Sequence, residues 1–350
     1  MNTQIRNITK IFSLVFINLF EKLILQWNKK IKTFEFLIDH QFNNYQINNN
    51  INLDYENISF AVIKRTSCPI CGLFSNYIVY LGCLRKFMIQ GFIPIFDLES
   101  YQNTINGFMD NPPKGNPWEY YFNQPFGFRY KDVIQKARNI KYFECIGNEK
   151  RPDEDIFLNK ESKDYWHNMA NKYIPIKNKI LKQSNIIIKK ILKDSKNVLG
   201  VLLRGTDYIA KKPFRHPIPP KTKDVIKDVK ILDYKNKYDS IFLATEDRNI
   251  RQEFVRAIGI KAKCLLNKFE IFYNYTNKDF LSQNIHFKNN IEFSKNYLIT
   301  YIFPKKYILN IIILSKCLDF ISARTSGTIG VFILTKGFRN YNVYNLGYYK

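Results

Sequence analysis

The chain has 350 residues, 45 % hydrophobic and 16 % aromatic, enough for a sizeable core and more comfortable as two domains than one. That composition excludes disordered, collagenous and disulfide-scaffold classes. Lysine and arginine number 54 against 30 acidic residues, a formal charge of +24 that fits an anionic partner or a lysine- and asparagine-rich coding bias.

Residues 11–27 are the most apolar stretch. Asn18, Glu21, Lys22, Gln26 and Lys29 recur at three- and four-residue spacing opposite Phe16, Leu19, Phe20, Leu23 and Trp27, which predicts an amphipathic helix and not a membrane span. No small-residue cleavage site follows, so a signal peptide is not expected. Lys29, Lys30 and Lys32 suit peripheral contact with an anionic inner membrane face, while packing on the globular body is the commoner fate of such a helix. An asparagine-rich linker at 41–52 completes an N-terminal segment, 1–57.

From residue 58 the pattern alternates. Strands are expected at 58–63 and 92–96 around a helix at 73–90, with further helices at 131–134 and 165–193. Strands then follow at 198–203, 240–244, 263–266, 319–322 and 342–344. Helices are expected near 225–232 and 247–258, on both sides of Pro304, and at 326–335. Such alternation means parallel sheets with helical crossovers, with a boundary near 195 between an acceptor-side half, 58–195, and a ligand-binding half, 196–350. Six cysteines in apolar surroundings point to a reducing, cytoplasmic setting. Cys68 and Cys71 form a lone C-x-x-C, read as two reduced structural cysteines because a zinc site lacks its second ligand pair.

Ligands in doubly wound folds collect beyond the carboxyl ends of the strands. One strand runs into Arg204, Gly205, Thr206 and Asp207, where an arginine suits a diphosphate and the glycine admits a close backbone. A second runs into Thr245, Glu246 and Asp247; Thr245 also reads as a helix N-cap. A third runs into Arg324, Thr325, Ser326, Gly327 and Thr328, hydroxyls and amides at a helix start. A nucleoside diphosphate explains the three together. No D-x-D stands at a strand end, so no metal ligands are assigned, and Arg204, Arg324 and helix amides would neutralise a leaving group. Asp207, His216 and Glu246 are candidates for the base that takes an acceptor proton, Asp207 first. A nucleic-acid-binding protein is the rival reading of the charge, but the lysines are spread over nearly every helix and no nucleic-acid signature is present.

L-G-V-L-L-R-G-T-D-Y at 199–208 resembles the H-x-R-x-x-D segment of the fucosyltransferase superfamily, which includes bacterial α-1,2-, α-1,6- and protein O-fucosyltransferases. C-G-L-F-S-N at 71–76, L-A-T-E-D at 243–247 and R-T-S-G-T at 324–328 are similar to three further motifs of that group. G-F-I-P-I-F-D at 91–97, N-P-W-E-Y-Y-F-N-Q-P at 116–125, R-G-T-D-Y at 204–208 and R-H-P-I-P-P at 215–220 resemble segments of bacterial surface-polysaccharide glycosyltransferase-like proteins. The resemblance covers about 58–350 and implies a GT-B-like architecture, two Rossmann-like α/β domains facing across a cleft. It implies an inverting, metal-independent transferase that needs no cofactor and takes a nucleotide-sugar donor such as GDP-fucose and a glycan or lipid-linked glycan acceptor. Arg204 would then hold the β-phosphate, Asp247 the guanine or ribose edge, and Thr325, Ser326 and Thr328 the diphosphate. Gly72 and Asn76 would face the junction of donor and acceptor. The family histidine falls on Leu202 and its second glycine on Cys71.

Overall fold

Short apolar runs buried on both faces make strands, and longer runs with one apolar stripe make the helices that cover them. The computed structural model describes residues 55–69, 71–103, 105, 115–205, 209, 212, 214–265 and 297–350, the side chains of 297–303 aside. The expected amphipathic helix and asparagine-rich linker lie outside the described residues, as do Thr206 and Asp207.

The first sheet is built from β1 (Ser59–Lys64), β2 (Ile93–Phe96) and β3 (Asn139–Glu144), all parallel, in the order β2-β1-β3. Helix α1 (Leu73–Ile89) crosses from β1 to β2, and α2 (Tyr130–Lys136) precedes β3. The helices α3 (Lys160–Tyr173) and α4 (Asn178–Leu192) lead to the second sheet. That sheet holds β4 (Val198–Leu202), β5 (Ser240–Ala244), β6 (Ala262–Cys264), β7 (Asp319–Ala323) and β8 (Asn340–Tyr344), parallel throughout and ordered β6-β5-β4-β7-β8. Its helices are α5 (Thr222–Asn236), α6 (Arg248–Ile258), α7 (Tyr297–Leu314) and α8 (Ser326–Leu334). Two parallel α/β sheets are therefore present, as expected.

Four expectations are corrected. The helix read over 165–193 is two helices, because Pro175 lacks the N–H that a continuous helix needs there. Strand β3 was not anticipated; its exposed, charged edge sequence N-I-K-Y-F-E carries no strong apolar alternation. A single helix, α7, passes through Pro304, with Ile308, Ile311 and Ile312 on its buried face holding it against the core. Cys68 and Cys71 are joined in a disulfide, in a turn where the Cys71 N–H donates to the Cys68 carbonyl at 3.1 Å.

One core runs between the sheets, from Phe74 and Tyr77 on α1 through Met169 on α3 to Ile308 on α7 and Val331 on α8. Leu202, which stands where the resemblance puts a histidine, is 7 % exposed and belongs to this core. A second cluster lies under α5 and α6, a third under α2. Asn116 and Gln124 of the W-E-Y-Y-F segment both grip Phe96 at the end of β2: the Gln124 carbonyl accepts from Phe96 N–H at 2.9 Å, and both amides donate to the Phe96 carbonyl. Among the described residues no helix is long and apolar enough to cross a membrane.

Candidate functional site

The register sets β4 between β5 and β7, with Leu202 opposite both Ala244 and Ser322, so the three strand ends open side by side. At the first two tips the loops touch. The Gly205 N–H donates to Glu246 Oε1 at 2.9 Å, and a Cβ on Gly205 would stand 2.3 Å from Asp247 Oδ2. Only a glycine allows this approach. Asp247 caps α6, its Oδ1 accepting from the Asn249 and Ile250 N–H groups at 2.8 and 3.1 Å, while Thr245 Oγ1 accepts from the Asp247 N–H at 3.1 Å. The N-cap is thus Asp247 and not Thr245, since the helix begins at Arg248, two residues later than a Thr245 cap requires. Half-buried Arg204 stands beside this pair.

At the third tip Thr325 caps α8, its Oγ1 accepting from the Thr328 N–H at 3.1 Å. Thr328 is fully buried and its hydroxyl donates to the Ala323 carbonyl at 2.5 Å, so it braces the loop and does not face a ligand, contrary to expectation. Gly327 packs under the Tyr307 hydroxyl. Arg324 forms an ion pair with Glu154, whose other oxygen accepts from the Tyr348 hydroxyl; that hydrogen bond, then burial, raises the Tyr348 pKa. Arg324 Nε is buried with no acceptor among the described residues, an N–H suited to a phosphate oxygen.

A cavity of about 630 Å³ lies where the two halves meet. Arg65 and Arg151 line it from the first half, Ser75 from the first turn of α1, and Ser326 from the start of α8. Glu154 and Tyr348 line it as well. Arg65, next after β1, is buried, and its Nη1 donates to Ser75 Oγ at 3.2 Å and Asn76 Oδ1 at 3.0 Å. Burial pushes its pKa down. Asn76 is itself 2 % exposed and donates to the Cys71 carbonyl at 3.1 Å, so it holds Arg65 in place and does not face a ligand. Gly72 is the N-cap of α1, with an ordinary φ of −69° and open space where a Cβ would point.

His216 is exposed, on a segment tied to the C-terminal tail by Arg215 N–H to Tyr349 carbonyl and Tyr349 N–H to His216 carbonyl bonds, both 3.0 Å. Tyr348 on that tail brings the segment to the cavity. The strand-end rule, applied to the second half alone, passed over Arg65, Arg151, Glu154 and Tyr348; Arg65 obeys the same rule in the first half. Asp153, Glu154 and Asp155 do spell D-x-D, but in a 3₁₀ turn (Glu154–Phe157) capped by the Asp153 carboxylate. Among the described residues Cys83, Cys145 and Glu149 place ligand atoms within 4.8 Å of one another, and Glu149 is already paired with Lys86 at 3.3 Å.

No family model and no curated protein matches the sequence. Among solved structures, the chain is similar to NodZ α-1,6-fucosyltransferase soaked with GDP-fucose at 13 % identity and a TM-score of 0.44, over 79 % of this chain and 93 % of that one. Fucosyltransferase NodZ from Bradyrhizobium gives 13 % identity and a TM-score of 0.45 with the same coverage. POFUT1 in complex with GDP gives 12 % identity and a TM-score of 0.43, over 82 % of this chain and 99 % of that one. Likeness at this level is one of overall shape and assigns no chemistry to the chain.

Proposed function

We propose that the protein is a glycosyltransferase of the fucosyltransferase-like type, moving a sugar from a nucleoside diphosphate donor to a glycan acceptor. The carrying observation is the cavity between the halves, lined from the second half by Ser326 in the first turn of α8, with Arg324 paired to its lining residue Glu154. Cations and helix N-termini of this kind suit a diphosphate leaving group. In this reading Arg204, Arg324, Thr325 and the amide of Ser326 hold the diphosphate, Asp247 lies at the base or ribose edge, and residues 58–195 carry the acceptor.

The acceptor hydroxyl oxygen attacks the anomeric carbon as the bond from that carbon to the β-phosphate oxygen breaks, its electron pair leaving on the diphosphate. A carboxylate or imidazole takes the hydroxyl proton. Asp207, three residues beyond Arg204, is the assigned base, and His216 on the tail-tethered segment is the second candidate. The donor is GDP-linked, the product is inverted, and the acceptor belongs to a surface polysaccharide assembled at the inner membrane face.

Incubation with GDP-fucose and a panel of other sugar nucleotides, read by release of free nucleoside diphosphate, tests the reading. Turnover that falls sharply in Asp207→Asn supports it. Absence of both turnover and binding across the panel overturns it, and GDP binding without turnover would make the protein an inactive sugar-nucleotide binder.

A further inference from the structure

Arg65 is 9 % exposed at the wall of the cavity. The two side chains that accept from it, Ser75 and Asn76, are neutral, and among the described residues no carboxylate forms an ion pair with it. A buried guanidinium without a counter-charge is costly to fold around. Arg151 lines the same cavity, and its like charge depresses the Arg65 pKa further. Ser75 and Ser326 come from the first turns of two helices, whose free N–H groups add positive potential. The acids of the cavity do not cancel this. Glu154 is paired with Arg324, and Asp153 and Asp155 are exposed, with Asp153 accepting from the Asp155 N–H at 2.9 Å. Two arginines of like sign in one cavity are stable together when an oxyanion sits between them.

We propose that Arg65 and Arg151 form an oxyanion subsite on the acceptor side, so that the acceptor is an anionic glycan bearing a phosphate or a uronate carboxylate. Ser75 and Asn76 position Arg65 from α1, and the Cys68–Cys71 loop fixes Asn76 through the Cys71 carbonyl. Use of the subsite by an acceptor rests on the glycosyl-transfer reading; its affinity for an oxyanion does not.

The test is isothermal titration of wild type, Arg151→Ala and Arg65→Met with glucose 1-phosphate, methyl β-glucuronide and the neutral methyl β-glucoside, each with and without saturating GDP. The expected result is that at least one anionic sugar binds about tenfold tighter than the neutral one. That margin should persist with GDP present and vanish in both variants, while Arg151→Ala keeps its GDP affinity. The phosphate and carboxylate arms separate the two anion sources. Equal binding of anionic and neutral sugars overturns the proposal, as does a margin retained in Arg151→Ala. A margin lost on adding GDP, or a matching loss of GDP affinity in Arg151→Ala, also overturns it by assigning these arginines to the donor diphosphate. Half-buried Arg151 keeps the test decisive if Arg65→Met does not fold. An arginine-dependent margin in a protein that does not bind GDP supports the subsite and removes the glycosyl-transfer reading alone.

Discussion

Glu154 holds the Arg324 guanidinium from across the seam between the two halves, so one carboxylate occupies the cation that a diphosphate would need. The side chains are 34 % and 21 % exposed, which puts the pair in the range of modest net strength. In the proposed donor site a diphosphate competes with Glu154 for this guanidinium. Glu154→Gln should therefore raise GDP affinity about threefold, the scale of a partly exposed ion pair. Arg324→Ala should lower it about tenfold or more. Titration calorimetry with GDP checks both, and equal or opposite effects would remove Arg324 from the donor site.

Arg204 lies two residues beyond β4, the strand flanked by both others at the centre of the second sheet. Arg204→Ala is expected to abolish the thermal stabilisation that GDP gives the wild type. An unchanged shift on a nucleoside diphosphate panel would show that this arginine serves the fold alone.

Gly205→Ala places a methyl carbon 2.3 Å from Asp247 Oδ2 and 2.7 Å from Ile250 Cδ1. The Asp247 carboxylate is fixed as the cap of α6, so the strand-tip loops must move apart. The cost should be about 1–3 kcal/mol in urea unfolding, together with weaker GDP binding. A variant as stable as wild type would mean that the tips separate freely.

Asp319, 1 % exposed, lies at the opposite end of the same sheet. Burial alone would raise its pKa, but hydrogen bonds from Arg339, Tyr238 and the Asn340 N–H outweigh burial and hold it below the usual carboxylate value. A carboxylate whose folded pKa is depressed contributes stability above its unfolded pKa of about 3.9 and loses it as pH falls through the folded value. Urea midpoints followed from about pH 6 to pH 3 should fall less steeply for Asp319→Asn than for wild type. Arg339→Ala should cost about 2 kcal/mol at neutral pH by leaving the buried acid short of donors.

The second sheet was legible because its strands are short, mostly apolar runs buried on both faces, as Val198–Leu202 and Asp319–Ala323 are. Strand β3 was not, since four of its six residues are exposed and it pairs on one side only. The tips at Arg204, Thr245 and Arg324 were found by where their strands end. Their chemistry was less legible: the hydroxyl of Thr328 braces its own loop and the carboxylate of Asp247 caps α6, a choice made by local backbone geometry that residue type does not fix. Asn116 and Gln124 carry part of the strongest family likeness, yet they clasp one strand end at Phe96. Glu154 and Arg151 were missed because a loop rim is defined only when the halves are assembled.

A Cβ on Gly330 would lie 2.2 Å from the Phe74 ring, so the first turn of α1 and the second turn of α8 are locked ring against backbone. The chain neighbours of that contact, Ser75 and Ile329, line the cavity. Any change in the spacing of the two halves at this point would have to break that contact. The wall of the cavity that carries Ser75 and Ile329 is therefore the one whose width this packing sets.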